Sequence, residues 1–368
     1  MKFAMFYEIP VAKPWGPRSE YDAYQNTIEQ AKLGDRMGFH SFWTVEHHFL
    51  DEYSHCSNPE VLYGHLAAVT ENLRLGYGVR LLPKPYNHPV RTAESVAVLD
   101  LISGGRVEFG TGRSSTRAEI EGFGVDPRET REMWHEALEH IVGCWTNEEY
   151  EFQGKHWSMP KRRVSPKPFQ DPHPPIWGAT SSLEGHYEIG KHGIGLLSFT
   201  VGQPPEALEE RLVNYQRGQA DCTTPIGAFR NAQAATFTMV HCNDTNEKAR
   251  AVAEESFVWY PKTAVKHIAS LAEYMEAYGQ DLGNYAYAGE AKKMTESGMS
   301  DALNMDYLYD SGAGVVGDPD RCIEIAKRYE AIGCDLLFCL LNPYKIPHEE
   351  VMRSIELMGK HVIPEFAD

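Results

Sequence analysis

Met1-Lys2-Phe3-Ala4-Met5-Phe6-Tyr7-Glu8-Ile9-Pro10-Val11 is the stretch that decides the fold class. Residues 2–7 are apolar enough for a buried strand, and they carry neither a long hydrophobic region nor a small-residue cleavage site, so they read as a first strand and not as a signal peptide. A doubly wound nucleotide-binding sheet ordinarily follows its first strand with G-x-G-x-x-G. Here Glu8-Ile9-Pro10-Val11 follows instead. That absence favours a (β/α)8 barrel.

The rest of the chain keeps the same rhythm. Strands are expected at residues 2–7, 41–44, 73–82, 106–111, 174–179, 194–199, 234–241 and 335–341. Helical spacing occupies 21–37, 59–70, 91–102, 128–145, 182–192, 206–219, 246–260, 320–332 and 349–361. Eight β/α units along one chain are the count of a TIM barrel with insertions, and residues 1–368 read as a single domain. Residues 151–175, broken by proline, glycine and lysine, read as a long connection. Residues 262–314, rich in Gly, Tyr, Met and Ala, fit the repeat poorly and are expected to be a lid insertion.

Composition narrows the function. The 368 residues are 42% hydrophobic and 24% charged, as in an ordinary soluble globular protein, and the net charge of −17 argues against nucleic acid or an anionic membrane surface. No apolar run approaches the roughly 18 residues of a membrane span. Seven scattered cysteines with no C-x-x-C pair suggest a reduced, cytoplasmic protein. Against the acidic background, residues 73–113 carry six basic and three acidic side chains. Such a reversal suits a small anionic ligand or simply a solvated face.

Two motifs follow barrel strands. Thr44-Val45-Glu46-His47-His48-Phe49 leaves the second; adjacent side chains there point to opposite sides, so only one histidine can face the barrel axis. An imidazole at that mouth can give or take a proton near neutral pH, although a histidine bonded within its own loop has the same sequence signature. Metal ligation is disfavoured, since neither H-E-x-x-H nor H-x-H occurs and His40, His55 and Cys56 complete no recognised set. Val107-Glu108-Phe109-Gly110-Thr111-Gly112-Arg113 ends the fourth strand. Its glycines let the backbone approach a phosphate, Arg113 offers a planar guanidinium, and Ser114, Ser115 and Thr116 offer hydroxyls. A tight turn with a surface arginine would look alike. Ala179-Thr180-Ser181-Ser182 opens the helix after strand five, where free N–H groups favour an anion or serine merely caps the helix. In strand three, Arg80 puts a charge inside the barrel wall and needs a partner, for which Glu46, Glu108 or a substrate carboxylate or sulfonate is available.

In order and spacing these motifs resemble the bacterial luciferase-like flavin monooxygenases. The similarity is dense from residue 2 to 116, clear over 167–199, returns from Gly317-Asp318-Pro319 to Ile363-Pro364, and is weakest over 224–311. The resemblance implies a luciferase-like barrel and a two-component enzyme: reduced FMN from a separate NAD(P)H:flavin reductase reacts with O2, through a C4a-peroxyflavin, to oxygenate a small organic substrate. It places His47 at the reactive edge of the flavin with Glu46 beside it, and a cis peptide at Gly78-Val79 beneath the ring. It assigns Arg113 and the neighbouring Ser115 to the FMN phosphate, with Ala179, Thr180, Ser181 and Ser182 as a second clamp. Many luciferases have cysteine at Gly112, and a glutamate where this chain has Ser181. A homodimer through helices 59–70 and 91–102 is implied, with Ala67, Ala68, Ala93 and Ala97 permitting close approach. The same superfamily holds F420-dependent oxidoreductases that transfer hydride, and luciferase-type dimers hold a non-catalytic flavin-binding subunit; both stay as alternatives. The substrate is not legible beyond an apolar or aromatic pocket suggested by Trp177, Tyr274, Tyr278, Tyr285 and Tyr287.

Overall fold

Eight parallel strands close on themselves: β1 (Lys2–Tyr7), β2 (Ser41–Thr44), β3 (Arg74–Tyr77), β4 (Val107–Gly112), β5 (Ile176–Thr180), β6 (Gly195–Ser198), β7 (Ala234–Cys242) and β8 (Leu336–Leu340). The computed structural model describes residues 1–199 and 202–366. Closure is set by β7, which pairs with both β6 and β8, and by β8, which returns to β1 with Leu336 opposite Lys2. Each strand is buried along most of its length, as expected where helices cover the outside and side chains fill the inside. The interior is aromatic: Trp43 lies 4.7 Å from Phe338 and 5.6 Å from Trp177, centroid to centroid. That ring accounts for Gly76 on the next strand, where a Cβ would come within 2.1 Å of the Trp43 indole.

The helices are α1 (Ser19–Arg36), α2 (Pro59–Val69), α3 (Pro89–Ser103), α4 (Arg117–Gly122), α5 (Thr130–Thr146), α6 (Leu183–Lys191), α7 (Glu209–Asp221), α8 (Asn246–Ala277), α9 (Ala286–Glu296), α10 (Met305–Ser311), α11 (Pro319–Ala331) and α12 (His348–Leu357). Their ends follow local chemistry. Proline opens α2, α3 and α11, where a missing N–H costs nothing, and the Asp318 carboxylate accepts from Arg321 N to cap α11.

Four readings from sequence need correction. The third strand is not continuous over 73–82: it stops at Tyr77, the Gly78–Val79 peptide is cis, and pairing with β4 resumes only at Arg80–Leu81. The connection 151–175 is not structureless: it carries an antiparallel ribbon, Tyr150–Gln153 against Ser158–Arg162, that begins one residue before it. The helix expected to end at 260 runs through Pro261 to Ala277. One lost donor is outweighed because Leu271, Ala272 and Met275 pack on Ile120, Val125, Tyr285 and Ala288 in a second apolar cluster. Finally, Ala93 and Ala97 are buried and cannot form an outer contact, whereas Ala68 is exposed; the large apolar residues that α2 and α3 expose are Val61, Val69, Val98, Leu101 and Ile102.

Candidate functional site

The carboxyl ends of the strands open into one deep cleft of about 1520 Å³, open mouth included. Backbone strain concentrates around it: Ile9, Phe49 and Ser114 hold positive φ of 55°, 63° and 71°, directly after Glu8, His48 and Arg113. Such conformations cost on the order of 1–3 kcal/mol each and persist where the surroundings enforce them.

At one end, His47 sits between two buried carboxylates. Its Nδ1 is 2.7 Å from Glu119 Oε1, and its Nε2 is 3.6 Å from Glu8 Oε2. Burial disfavours a charged imidazole, but the charge and hydrogen bond of Glu119, then Glu8 and Glu46, outweigh it and raise His47 to about 9. Burial also works against the Glu119 carboxylate, yet His47 and the hydroxyls of Ser114 (2.6 Å) and Thr116 (2.8 Å) hold its pKa below the ordinary value. Glu8 is pushed the other way: burial raises it, opposed by His47 and by the Tyr260 hydroxyl, which donates to Oε1 at 2.8 Å. The imidazole therefore carries a proton at neutral pH between an ionised Glu119 and a half-satisfied Glu8. His48, one residue on, points away from the cleft and packs edge-on against Phe123 at 4.9 Å.

Glu46 forms part of the wall, but its oxygens are committed. They accept from Leu81 N at 2.9 Å and from the Asn87 amide at 2.9 and 3.1 Å. Arg80 is partnered first by Glu60 at 2.7 Å, with Glu46 at 3.7 Å. Glu108 is not its partner; that carboxylate takes Arg74 and the Trp177 indole N–H.

The other end of the cleft is cationic and rich in hydroxyls. Arg113 stacks 5.0 Å from the Tyr285 ring and donates weakly to Thr130 Oγ1 at 3.3 Å. Arg131 also lines the cleft; burial first, and then the charge of Arg113, lower its pKa. Among the described residues neither guanidinium is ion-paired with a carboxylate, an arrangement that invites an external anion. Opposite them stand Ser115 and the turn Ala179, Thr180, Ser181 and Ser182, with Ser182 Oγ accepting from Gly185 N to cap α6. Gly112 has no room for a larger residue, because a Cβ would lie 2.4 Å from Val79 Cγ2.

All ten residues singled out from sequence (Glu46, His47, Gly78, Val79, Arg113, Ser115, Ala179, Thr180, Ser181 and Ser182) line this one cleft. Sequence reasoning missed Glu8, Glu119, Arg131, Tyr53, Tyr260 and His267, which line or support the same walls. Of these, Glu8 alone had a usable signal, an acid directly after an apolar barrel strand. No group of three or more His, Cys, Asp or Glu among the described residues could hold a metal ion. No helix described is long and apolar enough to cross a membrane.

A barrel whose strand ends gather an imidazole between carboxylates and a cationic, hydroxyl-lined turn defines a cofactor-dependent enzyme scaffold. The chain belongs to the luciferase-like monooxygenase family, whose sequence model matches residues 1–336. It is 24% identical over 372 residues to the oxygenase component of a flavin-dependent trigonelline monooxygenase from Acinetobacter baylyi, covering 100% of this chain and 96% of that one. The fold is shared with the oxygenating constituent of 3,6-diketocamphane monooxygenase from a Pseudomonas putida plasmid, solved with FMN (TM-score 0.78, 21% identity, 99% and 98% of the two chains). It is also shared with an F420-dependent secondary alcohol dehydrogenase (TM-score 0.71, 16% identity, 100% and 99%).

Proposed function

We propose that this chain is the oxygenase component of a two-component flavin-dependent monooxygenase, receiving reduced FMN from a separate NAD(P)H:flavin reductase and acting with O2 on a small organic substrate. The observation that carries the reading is the polarity of this cleft. Two guanidiniums without carboxylate partners face a serine-rich helix start at one end, and a protonated imidazole lies at the other. This donor set suits a phosphorylated flavin: Arg113, Arg131, Ser115 and residues 179–182 would hold the phosphate, and Gly78 and Val79 would back the ring. When bound, reduced flavin supplies the two electrons by which one oxygen atom enters the substrate and the other leaves as water.

The protein's own contribution is proton control and dryness. His47 holds a proton at Nε2, the ring nitrogen turned toward Glu8, while Glu119 fixes the other nitrogen and the ring's orientation. Glu46 lines the cleft beside His47 and holds the segment after Gly78–Val79 through Leu81 N. Phe6, Phe199 and Phe237 exclude water from the inner end. The insertion 262–314 acts as the lid: Ala264, His267, Ile268 and Tyr287 reach the cleft, and Tyr285 bonds Thr130 at 2.8 Å beside Arg113.

A homodimer and a reducing, cytoplasmic setting belong to the same proposal. The exposed Val61, Val98, Leu101 and Ile102 on α2 and α3 support the first, and seven cysteines, all free, support the second. The structural likeness to an F420-dependent dehydrogenase favours one second reading, hydride transfer from F420. Adding reduced FMN and then reduced F420 to the apoprotein under air, and following the oxidised spectrum, separates the two. Protein-perturbed reoxidation of FMN alone supports the monooxygenase; a response to F420 alone refutes it.

A further inference from the structure

The cationic end of the cleft adjoins a second groove. Arg131, Trp134 and His192 line both, and the groove, about 1100 Å³ with its open mouth included, lies along α5 and the ribbon Tyr150–Gln153/Ser158–Arg162. Ligand pockets run about 300–1,000 Å³, so a nucleoside has room there. The ribbon is pinned to α5 by Glu136, whose carboxylate accepts from the backbone N–H groups of Lys155, His156 and Trp157 at 2.9, 2.9 and 2.8 Å. The groove is therefore a built feature of the fold and not a gap beside a loose loop.

Most of its charges are answered locally. Arg128 pairs with Asp126 at 2.6 Å, Glu132 with Lys155 at 2.7 Å, and Glu139 lies 3.6 Å from His135. Arg131 is the exception. Among the described residues it has no carboxylate partner, and burial and then the charge of Arg113 both work against its own. Two neighbouring guanidiniums repel until anions answer them, and two linked phosphates can meet both at once. The rest of the lining offers rings. His192 lies 5.1 Å from His135 and 5.7 Å from Trp134, centroid to centroid, and burial keeps it neutral, down at about 4. Phe152 joins them from the ribbon. A ring-lined groove directly beyond a phosphate site suits a neutral purine, which stacks through its faces.

Resting on the flavin reading of the cleft, we propose that this groove is an adenosine subsite, so that the protein takes FAD as well as FMN. The first phosphate stays with Arg113, Ser115 and the turn 179–182, the second lies on Arg131, and the adenine enters the groove against His135, His192 and Phe152. Arg131, shared by both cavities, is the residue that joins the two halves of the dinucleotide site.

The test is anaerobic calorimetry of reduced FMN and reduced FAD on wild-type protein, Gln153→Trp and His135→Ala. Gln153 is an exposed ribbon residue in the groove lining and lies outside the cleft, so a tryptophan there fills the groove and leaves the flavin ring site alone. Wild type should bind FAD about tenfold more tightly than FMN, the scale of one stacked base. Gln153→Trp should abolish that advantage, and His135→Ala should reduce it, with FMN affinity unchanged in both; the FMN value also reports that each variant is folded. Equal or weaker binding of FAD by wild type overturns the proposal without any variant, because an adenosine left in solvent would add nothing. An FAD advantage that survives Gln153→Trp overturns it as well. Wild type that binds neither flavin removes the flavin reading itself, whereas FMN binding with no gain from FAD removes only the adenosine subsite.

Discussion

Replacing Glu119 by Gln tests the electrostatics of the site most sharply. The raised pKa of His47, about 9 against an ordinary 6.5, means that the folded protein binds its proton more tightly than the unfolded chain does. That interaction is fully present below the unfolded value of 6.5 and is lost as pH rises through about 9. A shift of roughly 2.5 units at 1.36 kcal/mol each corresponds to about 3 kcal/mol. With only 19% of the His47 side chain exposed, solvent screening removes little of it. Glu119→Gln deletes the largest favourable contribution to that proton, so His47 should fall to 6.5 or below, with burial opposed only by Glu8 and Glu46. The variant also weakens bonds to Ser114, Thr116 and His48 N, but that loss does not depend on pH between 6.5 and 9. Urea unfolding at intervals from pH 6 to 9 therefore isolates the ion pair. The stability difference between wild type and variant should shrink by about 3 kcal/mol across that window, and NMR of the His47 ring should report the lowered pKa. A difference that stays constant with pH, whatever its size, would refute the assignment of the proton to His47.

Other outcomes follow from the same geometry. Arg113→Ala should weaken FMN binding by about 1.5–3 kcal/mol, the range for a hydrogen bond to a charged group, and leave riboflavin nearly unchanged; equal losses for both, by calorimetry, would make Arg113 structural. His47→Ala should retain flavin binding while oxygenation falls by about 10²–10⁴ and oxygen is released as hydrogen peroxide, whereas His48→Ala, whose ring packs on Phe123 outside the cleft, should be mild. Comparable damage from both, in product and peroxide assays, would reduce the histidine pair to loop support. Gly112→Cys should destabilise the fold by about 1–3 kcal/mol through contact with Val79, and adding Val79→Ala should return most of it in thermal unfolding.

The barrel was legible because its signal is repeated eight times: each apolar strand of four to nine residues alternates with a helix bounded by Pro, Gly or a capping side chain. The turn after β4 and the serines before α6 were legible because close backbone approach and hydroxyl donors require particular residue types at fixed places. Glu119 was not, because it sits on α4, a helix of six residues with no readable period, and it reaches His47 only because Ser114 reverses the chain in a left-handed conformation. Arg131 begins α5 at a surface position that looks like any solvated arginine, and its role appears only when α5 is laid across the end of β4. The length of α8 was not legible because Pro261, just past the expected end at 260, is a strong local stop signal, and the packing of α8 on α9 that overrides it lies far along the chain.

The most direct test of the account is anaerobic calorimetry of the apoprotein with reduced FMN, oxidised FMN and riboflavin, with NADPH added last. The account predicts stoichiometric binding of reduced FMN, tighter than that of oxidised FMN and much tighter than riboflavin, with no reduction of bound oxidised FMN by NADPH alone. Failure to bind reduced FMN, or rapid reduction by NADPH without a second protein, would contradict it.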